Sequence, residues 1–326
     1  MPKDRSWGFW TEQKLAMLAD YLPAFTTASK KAPSKLYLDL FAGDTRNFSR
    51  TTGEEIDGSP RVALLTSPPF TKVILFELPS LAVRLETELK AEFPGRDLKV
   101  VAGDCNDTIH RTLADLAPLR WSPTFALVDQ YAAEIRWPTL EALARFREGP
   151  RKTELWLLFA PSMLPRGLAS ETPEAAEKFR HRVDAMFGTY DWRSMHDQCK
   201  AGEITPADLR ADLVNLMRWR LEAELGYAMT HTFEMRNTHG VPLYEMIFAT
   251  DDKTGNKIMR SIYEKAALVQ PNMKAQALAK KQAIKDEKTG RLGLFEPLVP
   301  VLKGSLYEHE PPWDPYASDG DDSDDA

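Results

Sequence analysis

The sequence predicts an α/β protein built on a mostly parallel, doubly wound sheet, with a helical insertion and a terminal antiparallel hairpin. Three observations carry that expectation. Short apolar runs at 36–41, 71–78, 98–102, 124–128 and 154–160 are strand-like and too short for typical helices. Helical stretches of roughly 10 to 15 residues alternate with them, which is the sequence form of βαβ units and of a sheet covered on both faces. Near the end, the runs 227–236 and 242–250 flank Asn237-Thr-His-Gly240, a hairpin signal.

The elements follow in order. Leu15, Leu18, Ala19, Leu22 and Phe25 have helical spacing over 11–25, with Thr11 as the expected N-cap. The first strand, Leu36-Tyr-Leu-Asp-Leu-Phe41, ends at Ala42-Gly43, small residues that let a ligand approach the main chain. A polar loop to Ser59, a short helix at 61–65, and a second strand ending in the acid Glu77 come next. An amphipathic helix over 80–93 stops at Pro94-Gly95, and the third strand reaches Gly103-Asp104. A helix at 106–117, a strand ending at Asp129, a helix at 138–147 and the fifth strand complete the alternation. Beyond Pro165 the segment 173–225 reads as helical and polar, and 273–286 as an Ala- and Lys-rich helix. The expected divisions are an N-terminal helix at 1–30, a core at 31–165, the insertion at 166–226, the hairpin at 227–262, a helical or irregular extension at 263–306, and a tail at 307–326.

Composition narrows the function classes. The 326 residues are 43% hydrophobic and 10% aromatic, ordinary for a globular protein with a sizeable core. Two cysteines, Cys105 and Cys199, exclude a disulfide framework and a thiolate-rich zinc site, and six scattered histidines show no paired ligand spacing. No apolar run approaches the roughly 20 residues of a membrane span, and the N-terminus has no signal core, so a soluble protein of the reducing cytoplasm is expected. The net charge of −6 is uneven: residues 307–326 hold eight acids and no Lys or Arg, leaving 42 basic against 40 acidic residues elsewhere. A body this near neutral is not the footprint of a strong nonspecific nucleic-acid binder, and the Pro-rich, acidic tail reads as disordered.

The chemistry is expected at the carboxyl ends of the strands. A parallel sheet aligns Asp39 with Gly43, Glu77, Asp104 and Asp129 along one rim, where ligands of doubly wound folds sit. Glu77, an acceptor-only carboxylate, suits both hydroxyls of a ribose. Asp104 suits an exocyclic amine or caps the helix that follows it, and Asp39 either holds the turn or meets an ammonium group. Gly43-Asp44-Thr45-Arg46 lacks the further glycines that cradle a pyrophosphate, and no Gly-rich Lys-Ser/Thr loop occurs, so a nucleoside ligand without phosphates is expected. The cofactor-binding set is therefore Asp39, Phe41, Ala42, Gly43, Glu77, Asp104 and Cys105, the last as a small thiol beneath the turn. Asp129, Gln130 and Tyr131 form the candidate transfer site, where an amine is held by acceptors and its ring stacks on an aromatic face. Basic residues in the second half, among them Arg166, Arg180 and Arg182, read mainly as a solvated face, with a rim near a nucleic-acid substrate as the alternative.

A hairpin appended to a parallel doubly wound sheet is the layout of class I S-adenosylmethionine-dependent methyltransferases. Within that class, Tyr37-Leu-Asp-Leu-Phe-Ala-Gly43, Gly58-Ser-Pro60, Phe76-Glu77, Gly103-Asp-Cys-Asn106, Asp129-Gln-Tyr131 with Trp137-Pro138, and Asn237-Thr-His-Gly-Val-Pro-Leu-Tyr244 resemble the three-Cys-motif partner proteins, from about Trp10 to Tyr263. The resemblance implies an S-adenosylmethionine pocket and methyl transfer to an amine of a nucleobase or nucleic acid. It equally implies a partner carrying a three-cysteine, radical-SAM-like motif, for which this chain would be a scaffold subunit without transfer activity. Two positions depart from the family pattern. Asp44-Thr45 stands where Pro-Gly is expected, adding a Cβ near the cofactor's carboxyl end, and Gln130 stands where Pro would stiffen the loop.

Overall fold

The computed structural model describes residues 7–170, 172–288, 302–304 and 306–317. The chain opens with α1 (Phe9–Ala28), which starts ahead of the expected Thr11 cap because Gly8, in extended backbone, is the N-cap. Then follow β1 (Leu36–Asp39), β2 (Arg46–Phe48), β3 (Glu55–Asp57), α2 (Ser59–Leu65), β4 (Lys72–Glu77), α3 (Pro79–Glu92), β5 (Leu98–Ala102) and α4 (Cys105–Asp115). After these come β6 (Thr124–Val128), α5 (Trp137–Phe146), β7 (Glu154–Phe159), α6 (Leu164–Leu168), α7 (Pro173–Phe187), α8 (Trp192–Ala201), α9 (Pro206–Ala223), β8 (Met229–Arg236), β9 (Pro242–Thr250) and α10 (Lys253–Lys288).

The main sheet has the order β5-β4-β1-β6-β7-β9-β8. Five strands are parallel, β9 joins antiparallel to β7, and β8 pairs antiparallel with β9 at the edge. This is the class I methyltransferase-like fold. Strands β1, β6 and β7 are buried along their whole length, as central parallel strands must be, which explains their unbroken apolar runs. Alternate side chains feed two cores. Leu36, Leu38, Ile74 and Val128 pack under α4, α5, α7 and α9, whereas Tyr37, Val73, Leu75 and Trp156 pack under α1, α3 and α10.

Three features differ from the expectation. The polar loop after Gly43 contains the hairpin of β2 and β3, whose exposed pattern leaves no hydrophobic alternation to read. Helix α10 begins at Lys253 and packs Met259, Ile262 and Tyr263 into the sheet, so the last helix belongs to the core. Residues 307–317 are not a free tail. Trp313 exchanges backbone N–H and C=O bonds of 2.9 Å with the Asn215 amide, Arg218 donates to the Glu310 carbonyl at 2.6 Å, and the Tyr316 hydroxyl donates to Asp191 at 2.5 Å. The insertion satisfies the segment's backbone, which outweighs its low apolar content. Residues 318–326, also assigned to the tail, lie outside the described residues.

Candidate functional site

The site grows from the turn after β1. The Leu40 N–H donates to the Leu127 carbonyl at 3.0 Å and the Ala42 N–H to the Phe76 carbonyl at 3.1 Å, so the turn is anchored between β6 and β4. Gly43 follows at φ +66°, a left-handed conformation that favours glycine, and aims its N–H at β4. Glu77 Oε2 accepts that N–H at 2.8 Å, and Oε1 accepts the Leu78 N–H at 2.7 Å. The acid at the end of β4 thus fixes both the turn and the start of α3. Gly58 is a second required glycine, because a Cβ there would overlap the Asp44 carbonyl oxygen as α2 closes on the turn.

These elements open a cleft of about 450 Å³ at the carboxyl ends of β1, β4 and β5, within the roughly 300–1,000 Å³ range of small-molecule sites. Phe41, Gly43, Glu77, Asp104 and Cys105 line it, so five of the seven expected cofactor-binding residues converge. Asp39 and Ala42 do not. Asp39 is fully buried beneath the turn, where it accepts from the Phe41 N–H at 3.3 Å and the Tyr37 hydroxyl at 3.1 Å, and burial pushes its carboxyl up to about 7. Ala42, 4% exposed, packs in the core under α1 and α3.

Asp104 lines the cleft but caps α4. Its Oδ1 accepts from the Asn106 backbone N–H and side-chain amide, both at 2.8 Å, while Oδ2 faces the Arg136 guanidinium at 3.4 Å. Both lone pairs of Oδ1 are therefore spent, and only Oδ2 remains for a ligand. Burial pushes the Cys105 thiol up to about 12, so it is neutral and packs as expected.

The Asp129–Tyr131 stretch does not form the expected acceptor cluster. Asp129 pairs with Lys14 of α1, with side chains 19% and 9% exposed. Gln130 is 1% exposed and structural: Oε1 accepts from Glu134 N–H at 2.8 Å and Ile135 N–H at 2.9 Å, and Nε2 donates to the Leu158 carbonyl at 3.2 Å. An interior amide does here what a proline ring would have done, fixing the loop through three bonds. Tyr131 is 74% exposed, and its ring is available above the rim.

The departures at Asp44 and Thr45 face away from the cleft. Asp44 pairs with Arg84 at 2.7 Å, and the Thr45 hydroxyl donates to Glu88 at 3.3 Å, so the added Cβ crowds nothing there. Sequence reasoning passed over Glu134 and Arg136, gave Asn106 no role of its own, and read Arg182 mainly as part of a solvated face. Asn106 ties Asp104 to the β6–α5 loop by donating to the Glu134 carbonyl at 2.9 Å and accepting from the Arg136 N–H at 2.8 Å. Arg182, on α7, donates to the Ala133 carbonyl at 3.1 Å and makes the insertion a wall of the cleft. Asn106 stands two residues after Asp104 in sequence and was findable, whereas nothing local separates Arg182 from its exposed neighbours. Among the described residues no group of three or more His, Cys, Asp or Glu is arranged to hold a metal, and no helix is long and apolar enough to cross a membrane.

No protein-family model and no curated protein matches the sequence. Among solved structures, the chain is similar to M. jannaschii TYW2 in complex with AdoMet, at 11% identity over 70% of this chain and 75% of that one, with a TM-score of 0.32. It is also similar to a dimethyladenosine transferase from Plasmodium falciparum, at 13% identity over 85% and 82%, with a TM-score of 0.34. A DUF574 family protein from Streptomyces avermitilis matches at 11% identity over 72% and 82%, with a TM-score of 0.35. Likenesses this distant carry no functional argument, and the fold assignment rests on strand order and direction.

Proposed function

We propose that the chain binds S-adenosylmethionine in the rim cleft and acts as a methyltransferase on an amine of a nucleobase or nucleic acid. The observation that carries the reading is the Gly43–Glu77 bond. It presents a carboxylate at the end of β4 beside a small turn at the end of β1, and each Glu77 oxygen keeps a lone pair for a ribose hydroxyl after accepting its backbone N–H. The residues fit such a nucleoside: the cleft has the volume, and the chain lacks a pyrophosphate-binding glycine pattern. When bound there, the cofactor supplies an electrophilic methyl group. Glu77 and the turn orient it, Arg136 and Arg182 close the far wall, and exposed Tyr131 offers a stacking face to the acceptor ring.

A second reading is favoured by the Asp129–Lys14 pair and by buried Gln130. With two of three transfer-loop side chains committed to structure, the chain suits a scaffold role for a radical-SAM-type three-Cys-motif protein. Titration calorimetry with S-adenosylmethionine tests the pocket: micromolar binding weakened by Glu77→Ala is expected, and no binding removes the methyltransferase reading and leaves the scaffold in its apo form. Labelled methyl transfer to RNA, DNA and protein then separates them. Label that falls with Tyr131→Ala supports the enzyme, and its absence, together with capture of a cysteine-rich partner, supports the scaffold.

A further inference from the structure

A second cavity of about 440 Å³ opens on the same rim, beyond β7, between α9 and the terminal hairpin. Its rim position follows from the register: β9 runs antiparallel to β7 and pairs Glu245 with Phe159, so the start of β9 lies at the carboxyl end of β7. Arg218 lines this cavity and is 6% exposed. Its Nε donates to Thr230 Oγ1 at 3.0 Å and its Nη2 to the carbonyls of Thr230 and Glu310 at 3.2 and 2.6 Å, all neutral acceptors. Among the described residues Arg218 makes no ion pair. Glu222 is one bond further on, accepting from Thr230 Oγ1 at 2.7 Å. Glu245, on the cavity wall, is bound to Thr232 Oγ1 at 2.7 Å, and burial pushes its carboxyl up to about 8, which leaves it mostly neutral at pH 7. A buried cation without a carboxylate against it is costly and calls for an anion.

The rest of the wall is consistent with that. Arg210 has only the Pro206 carbonyl as a partner among the described residues, and Arg236 pairs with Glu234, so the cavity carries a surplus of guanidinium. Trp313, half exposed and fixed by Asn215, presents a flat ring beside these cations. We propose that this cavity binds an anion attached to a planar ring, with Arg218 and Arg210 holding a phosphate or carboxylate and Trp313 stacking on the ring. Tyr244 also lines it, and Lys14, the partner of Asp129, lies 6.0 Å above the Tyr244 ring, so the cavity adjoins the transfer loop. Naming this ligand the methyl acceptor rests on the methyltransferase reading, whereas anion binding does not.

The test is calorimetry on the full chain at low salt with adenosine 5′-monophosphate and adenosine, each with and without saturating S-adenosylmethionine. The phosphate should tighten binding at least tenfold, S-adenosylmethionine should not displace the nucleotide, and Arg210→Ala and Trp313→Ala should each weaken it about tenfold. Phenyl phosphate against benzoate distinguishes the two anion sources. Equal binding of adenosine and its monophosphate, displacement by S-adenosylmethionine, an unchanged Arg210→Ala variant or no nucleotide binding at all overturns the proposal. Nucleotide binding without S-adenosylmethionine binding leaves the anion site standing and removes the methyltransferase reading.

Discussion

The two halves of the rim are built alike and end differently. At the ends of β1, β4 and β5, the polar groups are spent on shaping an open cleft: Glu77 holds the Gly43 turn, and Asp104 caps α4. At the end of β6, the corresponding groups are spent on closing the structure: Asp129 is neutralised by Lys14, and Gln130 disappears into three loop bonds. A carboxylate at a strand end is therefore not a ligand group by position alone. What faces it from a neighbouring element decides whether it binds or braces.

Four variants break or sharpen that contrast. The largest effect belongs to Asp129→Ala, which strands the Lys14 ammonium with its side chain only 9% exposed and should cost about 3–5 kcal/mol in urea unfolding. Adding Lys14→Met should recover most of the loss, and a stability change below about 1 kcal/mol for the single variant would mean that Asp129 does not brace the fold. Glu77→Ala, on the open side, should weaken S-adenosylmethionine about 10–100-fold in calorimetry, since a charged hydrogen-bond acceptor is lost at the turn.

A smaller effect concerns pH. The Asp39 carboxyl is raised to about 7 by burial, from about 4 in an unfolded chain, so its stabilising contribution is complete below pH 4 and fades as pH rises toward 7. Thermal melts of parent and Asp39→Asn should therefore show the variant gaining on the parent between pH 5 and pH 8, and parallel profiles would contradict the shift. Thr45→Gly should do least, with S-adenosylmethionine affinity within about twofold, because the Thr45 side chain turns to Glu88 and not to the cleft.

Much of the architecture was legible. The strand at 124–128 and the hairpin were readable to within a few residues because burial on both faces, or a Gly-containing turn between β-rich runs, leaves an unambiguous pattern. The β2–β3 hairpin was not, since half-exposed polar strands resemble a loop. Asp39 illustrates the limit at the site. It shares a strand face with Tyr37, the face that packs under α1 and α2, and no spacing rule shows that such a position is roofed rather than open. The segment 307–317 was misjudged for a related reason: its bonds come from Asn215 and Arg218, about 90 residues away in sequence.

The order of apolar runs and helical stretches by itself determined the sheet, its parallel core and antiparallel end, and the rim on which the acids gather, because periodicity and chain connectivity leave few ways to bury those runs. Tertiary structure alone decided which acids remain on the cleft, which are neutralised or capped, and which arginine makes no ion pair among the described residues. Those outcomes depend on contacts between elements far apart in the chain, and an isolated side chain's charge carries no record of its eventual neighbour.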